Sequence, residues 1–181
     1  MKKLLAMLMV LAISLSLAAC GGEQAAQPDD KAVEFVSMTF GNISMSVPNV
    51  FGTVSEKEGV LVSGAPNAAI TVTPATEIDL LPSEWDESVA EGILEPLYGA
   101  TYSEIELAAF EGDVDMNGNT AVYTAFYGKN ADGVDRFVQV VRLYNTELTE
   151  LYIITFVHTA EDAFFTPEVG QQIINSITLG A

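Results

Sequence analysis

Val134-Asp-Arg-Phe-Val-Gln-Val-Val-Arg-Leu-Tyr144 and Leu151-Tyr-Ile-Ile-Thr-Phe-Val-His158 carry apolar residues at odd and even positions alike. A strand whose sheet is solvated on one face alternates apolar with polar side chains. These two do not: Phe137, Val138, Val140 and Val141 run together in the first, and Ile153, Ile154, Phe156 and Val157 in the second. Both faces of their sheet must therefore be covered, and the rest of the chain has to supply the covers.

Upstream, Asn117-Gly118 is the strongest hairpin signal in the chain, because both residues tolerate the positive φ of a type I′ turn. Before it, Ile105 and Leu107 alternate with Glu104 and Glu106; after it, Val122 and Phe126 alternate with Tyr123 and Tyr127. A Gly-rich turn over 128–133 then leads into Val134. Residues 102–158 thus read as a meander of four long antiparallel strands.

The first cover is a helix. Ser83 and Asp86 make a capping signature, and Trp85, Val89, Ile93 and Leu97 recur every four residues until Tyr98-Gly99. Its polar side carries Glu84, Asp86, Glu87, Glu91 and Glu95 without a base. The second cover is a helix opened by Thr166-Pro167, with Val169, Ile173 and Ile177 at the same spacing. Short strands are expected near 60–63 and 70–73, around the Gly64-Ala65-Pro66-Asn67 turn.

Further out, Val36, Met38 and Phe40 face Ile43, Met45 and Val47 across Gly41-Asn42, whose leading Gly suits a type II′ turn. A two-residue loop pairs Phe40 with Ile43, Met38 with Met45 and Val36 with Val47. Pro48 ends the hairpin. Hairpin, short strands, helix, meander and helix make an α+β chain: an α/β/α sandwich with a central antiparallel sheet.

Four stretches in this order resemble the PsbP-like superfamily. They are Phe40-Gly-Asn-Ile-Ser-Met-Ser-Val-Pro48, Asn117-Gly118-Asn119-Thr120-Ala121, Leu151-Tyr-Ile-Ile-Thr-Phe156 and Ile174-Asn-Ser-Ile177. That superfamily includes photosystem extrinsic subunits, Ran-binding Mog proteins and many small bacterial lipoproteins. The resemblance spans roughly residues 34–180, consists of strand ends and turns, and transfers no functional residue. It implies a sandwich that works by binding other proteins.

The N-terminus places the chain. Lys2 and Lys3 precede an apolar run over 4–19, too short to span a bilayer and right for a signal h-region. Leu17-Ala18-Ala19-Cys20 resembles the lipobox of bacterial prolipoproteins, in which the Cys becomes the lipidated N-terminus. The expected organisation is a signal peptide over 1–19, a lipidated Cys20 with a flexible tether over 20–33, and one domain over 34–181. The protein is then held by diacylglycerol on Cys20 at the extracytoplasmic face of a bacterial membrane. Loss of Lys2 and Lys3 takes the formal charge from -18 to -20, so an anionic lipid surface repels the domain. The eleven-residue tether Gly21–Lys31 lets it stand off by about 18 Å.

Seven basic residues against 25 acidic ones exclude nucleic acid as a partner, since phosphate binding needs a basic face. One Cys excludes an internal disulfide framework, and one His excludes a His-rich zinc site. His158 is the sole base for a nucleophile triad, and its parity with Tyr152, Ile154 and Phe156 marks it as a core histidine. An envelope hydrolase is the weakest reading, and no cofactor is expected.

Two site readings remain. Glu84, Glu87, Glu91 and Glu95 on the helix, with Glu104 and Glu106 on the first long strand, would attract a cationic protein or peptide outside the cell. Asp113-Val-Asp115-Met-Asn117-Gly118-Asn119 follows the first half of a calcium loop, although position twelve would be Thr124, which lacks a carboxylate. The same residues also read as an acidic ladder running into a hairpin turn. The alternative function is accordingly a calcium- or small-ligand-binding surface lipoprotein. Tyr123, Phe126, Tyr127 and Tyr144 either line a cleft or pair across strands in the core.

Overall fold

The structure is a computed structural model and describes residues 33–162 and 164–180. The expected signal segment, the expected lipobox with Cys20 and the expected tether up to residue 32 lie outside the described residues. The central sheet has seven antiparallel strands in the order β3-β4-β5-β9-β8-β7-β6. They are β3 (Ser55–Lys57), β4 (Val60–Ala65), β5 (Ala68–Pro74), β6 (Ser103–Met116), β7 (Asn119–Lys129), β8 (Asp135–Tyr144) and β9 (Leu151–Thr159). The meander is as the turn signals imply, and β8 and β9 occupy the middle of the sheet. Val138, Val140, Val141, Leu143 and Tyr144 are each at most 1% exposed, so both faces of β8 are covered.

One face is covered by helix α1 (Glu87–Tyr98), whose buried residues are Ala90 and Leu94, the latter packed with Phe126, Val138 and Val140. Asp86, not Ser83, is its N-cap and accepts a hydrogen bond from Val89 N at 2.8 Å. Ser83 sits in the preceding short 3-10 turn (Pro82–Glu84). This sets the helix phase and corrects the expected apolar stripe. Ala90 and Leu94 take the buried side, while Ile93 and Leu97 fall on a flank, where Leu97 stays 59% exposed.

The opposite face is covered by helix α2 (Pro167–Asn175) and a separate three-stranded sheet. The N-terminal hairpin, β1 (Phe35–Phe40) and β2 (Ile43–Pro48), has the expected register, with Phe40 on Ile43, Met38 on Met45 and Val36 on Val47. Gly41 leads the loop at φ +60, as the turn requires. The hairpin does not join the central sheet. Phe40, Ile43, Met45 and Val47 pack face-on against Ile70, Val141, Leu143, Ile154 and Phe156, alongside Val169, Ile173 and Ile177. A two-residue strand, β10 (Thr178–Leu179), completes the small sheet by pairing with Ser44 and Ile43. Neither β10 nor β3 was expected, since strands of two or three residues have no readable period.

β6 is irregular. Its register against β7 shifts three times, and Gly112-Asp113 bulges opposite Val122 with Asp113 at φ +54. The acidic ladder expected from Asp113 and Asp115 is interrupted here: Asp113 falls in the bulge without a register partner on β7, whereas Asp115 opposes Thr120. At the start of this strand Glu104 is not an isolated acid, because Lys129 on β7 ion-pairs with it.

Candidate functional site

Helix α1 separates two clefts of opposite character. On one flank, Glu87, Glu91 and Glu95 meet Glu106 of β6 in a shallow cleft of about 370 Å³, floored by Leu94, Ile105 and Leu107. No base lines it. Candidates from the helix and from the strand that follows it are thus brought together here. Glu84 is held elsewhere by its own turn, where its Oε2 accepts from Leu81 N at 2.7 Å, and Glu104 is engaged by Lys129.

On the other flank a groove of about 800 Å³ runs between α1 and the segment that follows β5. Ile93, Pro96 and Leu97 form one wall, residues 73–80 the other, and Leu151, Ile153, Tyr144 and Arg142 the floor. Trp85 closes one end. Its Nε1 donates to Tyr144 Oη at 3.2 Å, and that hydroxyl donates to Leu80 O at 2.9 Å, so indole, sheet and far wall are tied together.

Arg142 is the unexpected residue. It lies on β8 between Val122 and Ile153, in the row Val122-Arg142-Ile153-Thr73 that crosses four strands. It is 4% exposed, its Cζ is 4.4 Å from the Trp85 ring centre, and its Nη1 has no hydrogen-bond partner. Among the described residues the one ion pair is Lys129 with Glu104, so no carboxylate neutralises Arg142. Burial pulls its pKa down, offset in part by the Tyr98 and Tyr144 hydroxyls, yet arginine stays charged in proteins. Burial likewise raises Tyr98 and Tyr144, which remain neutral dipoles beside the cation.

The calcium-loop residues are spread along a strand and a turn. Asp113 is exposed at the bulge, Asp115 Oδ1 accepts weakly from Gly118 N at 3.4 Å, and Asn119 starts β7 opposite Met116. Asn117, at φ +55, donates through Nδ2 to Ile177 O at 2.7 Å, which ties the turn to the end of α2. Among the described residues no three His, Cys, Asp or Glu side chains cluster as a metal site.

His158 is 1% exposed and walled by Phe137, Phe156 and Phe165, with ring centres 5.5, 5.2 and 6.4 Å away. Its Nδ1 bonds the Thr159 carbonyl oxygen at 2.8 Å, and its Nε2 is buried without a partner. Burial holds its pKa below the ordinary value, against the opposing pull of the Thr159 contact. Below about pH 6.5 the unfolded chain therefore binds a proton that the folded chain resists, and stability drains away as pH falls through that window. Unfolding free energies of the wild type and His158→Phe, compared between pH 7.5 and 5, are expected to diverge against the wild type. The slope of the difference is at most about 1.4 kcal/mol per pH unit. A difference independent of pH would refute the assignment.

The four aromatics follow the core and cross-strand reading and not that of a shared cleft, with Tyr127 paired across strands with Phe137 at 4.9 Å between ring centres. Phe126 and Tyr144 are buried on the α1 face, whereas Tyr123 and Tyr127 point to the other. Among the described residues no helix is long and apolar enough to cross a membrane.

A seven-stranded antiparallel sheet with a helix on one face and a hairpin and helix on the other is an α+β sandwich, and solved structures with a similar fold include a PsbP and a Mog1 protein. The cyanobacterial PsbP (CyanoP) of Synechocystis sp. PCC 6803 superposes with a TM-score of 0.56 at 18% identity, over 90% of this chain and 98% of that one. The Ran-binding protein Mog1p of Saccharomyces cerevisiae superposes with a TM-score of 0.53 at 12% identity, over 82% and 96%. The PsbP-like fold expected from the sequence is thus the fold of this chain, and at such identities the likeness is one of fold alone. No protein-family model matches the chain, and no curated protein matches it.

Proposed function

We propose that this protein is a lipid-anchored, extracytoplasmic, non-enzymatic interaction module that docks a cationic protein or peptide in the cleft between α1 and β6. The observation that carries this reading is the convergence of Glu87, Glu91, Glu95 and Glu106 on one cleft with no base in its lining. Like charges at four-residue spacing on a helix repel by a few tenths of a kcal/mol per pair, so the arrangement does not serve the helix itself. A field of one sign in a concave site concentrates cations and speeds their association. The Ran-binding activity of Mog1p supports protein binding as a use of this fold.

Crosslinking in intact cells tests it, with Cys20→Ala as the anchor control. A partner captured by the wild type should be lost, by about tenfold, on combining Glu87→Gln, Glu91→Gln, Glu95→Gln and Glu106→Gln, and its capture should weaken with added salt. The quadruple variant is expected to unfold no earlier than the wild type, because repulsion is relieved. Undiminished capture by the folded variant would remove the cleft from the proposal, and capture indifferent to Cys20→Ala would remove the anchor.

A further inference from the structure

We infer that the groove on the other flank of α1 binds a single-chain amphiphile with an anionic head, of the carboxylate class, whose head pairs with Arg142 and whose hydrocarbon chain lies along Ile93 and Leu97. Three observations converge on this. The groove is lined mainly by apolar side chains and, at about 800 Å³, has room for a medium or long acyl chain. Its floor holds a cation that is 96% buried, has no carboxylate partner, and presents an Nη1 without a hydrogen bond, in a chain that carries 25 acidic residues. A buried guanidinium without a counter-charge costs stability, and the ligand best suited to it is a planar oxyanion that takes its parallel N–H groups.

The surroundings narrow the ligand further. Trp85 meets the guanidinium with its ring face, Cζ lying 4.4 Å from the ring centre, and that face supplies no hydrogen-bond acceptor for the N–H groups. The Tyr98 and Tyr144 hydroxyls are neutral and do not compete as anions. Glu77 and Asp79, exposed at the rim, disfavour a second negative charge near the mouth. The tail end of the ligand is therefore uncharged. Leu97, 59% exposed, and Pro96 extend the apolar surface outward from the floor.

Trp85 is the chain's single tryptophan, so its emission reports this groove alone. The experiment titrates the full-length chain with monomeric decanoate and, separately, with decanol of equal length. Decanoate should change the emission saturably and bind about tenfold or more tightly than decanol, the difference a charge-assisted hydrogen bond supplies. In Arg142→Gln that preference should collapse to within about threefold while decanol binding persists. Leu97→Asp sits on the rim, carries no folding burden and keeps Arg142; it should weaken both ligands by about tenfold, so the inference stays testable if Arg142→Gln fails to fold. Equal binding of decanoate and decanol, a preference that survives in folded Arg142→Gln, or indifference of both ligands to Leu97→Asp would each overturn it.

Discussion

Phe156→Ala is expected to lower the unfolding free energy by about 3–5 kcal/mol, the largest stability loss we anticipate from one truncation. The ring is 2% exposed and sits where three parts of the chain meet. Phe51, from the segment after the hairpin, lies 6.4 Å away centre to centre, Phe165, just before α2, 6.0 Å, and His158, on the same strand, 5.2 Å. Aromatic pairs in tilted and edge-on arrangements add about 0.5–1.5 kcal/mol each beyond the area they bury. Removing the ring leaves a cavity bounded by sheet strands, which cannot collapse without disturbing their ladders. Urea denaturation should show a lower midpoint at unchanged slope. A loss below about 1 kcal/mol would mean that Phe51 and Phe165 refill the space, and that the hairpin and α2 are held mainly by other contacts.

Arg142→Met should act in the opposite direction and raise stability by about 1–4 kcal/mol at neutral pH. Replacement of a buried charge by an apolar side chain of similar length removes a desolvation cost and keeps the volume. The loss of the contact with Trp85, worth about 2 kcal/mol when desolvated, limits the gain. The same denaturation experiment decides it. A destabilised but folded Arg142→Met would show that Trp85, Tyr98 and Tyr144 solvate the guanidinium well enough to make it a net stabilising element. Stabilisation would identify a residue whose presence the fold alone does not explain, as expected of a binding group.

What was legible in the sequence follows the range of the forces. The hairpin register of β1 and β2 was readable because Gly41-Asn42 fixes a two-residue loop, and pairing then follows by counting. Which sheet the hairpin joins was not readable: the apolar face of Phe40, Ile43, Met45 and Val47 fits a sheet edge or a sheet face equally well. From Trp85 into α1 the four-residue recurrence of Trp85, Val89, Ile93 and Leu97 was real, but periodicity cannot tell a buried face from a groove wall, and it was Leu94 that proved to pack on the sheet. The acidic candidates on α1 were visible singly; their meeting with Glu106 is tertiary. Arg142 left a signal that went unused, a lone cation inside Val140-Val141-Arg142-Leu143-Tyr144, a run otherwise buried on both faces. The bulge at Gly112-Asp113 broke an alternation that read as continuous.

The short β10 strand has a consequence for the order of events during synthesis. Thr178 and Leu179 pair with Ser44 and Ile43, and Ser176 Oγ accepts from Ser46 N at 2.8 Å across 130 residues. The small sheet therefore cannot be completed until residues about 130 positions further along the chain have been made. An emerging chain holds β2 with an unpaired edge throughout that interval, and contacts so distant in sequence form slowly. Until then that edge stays open to a chaperone.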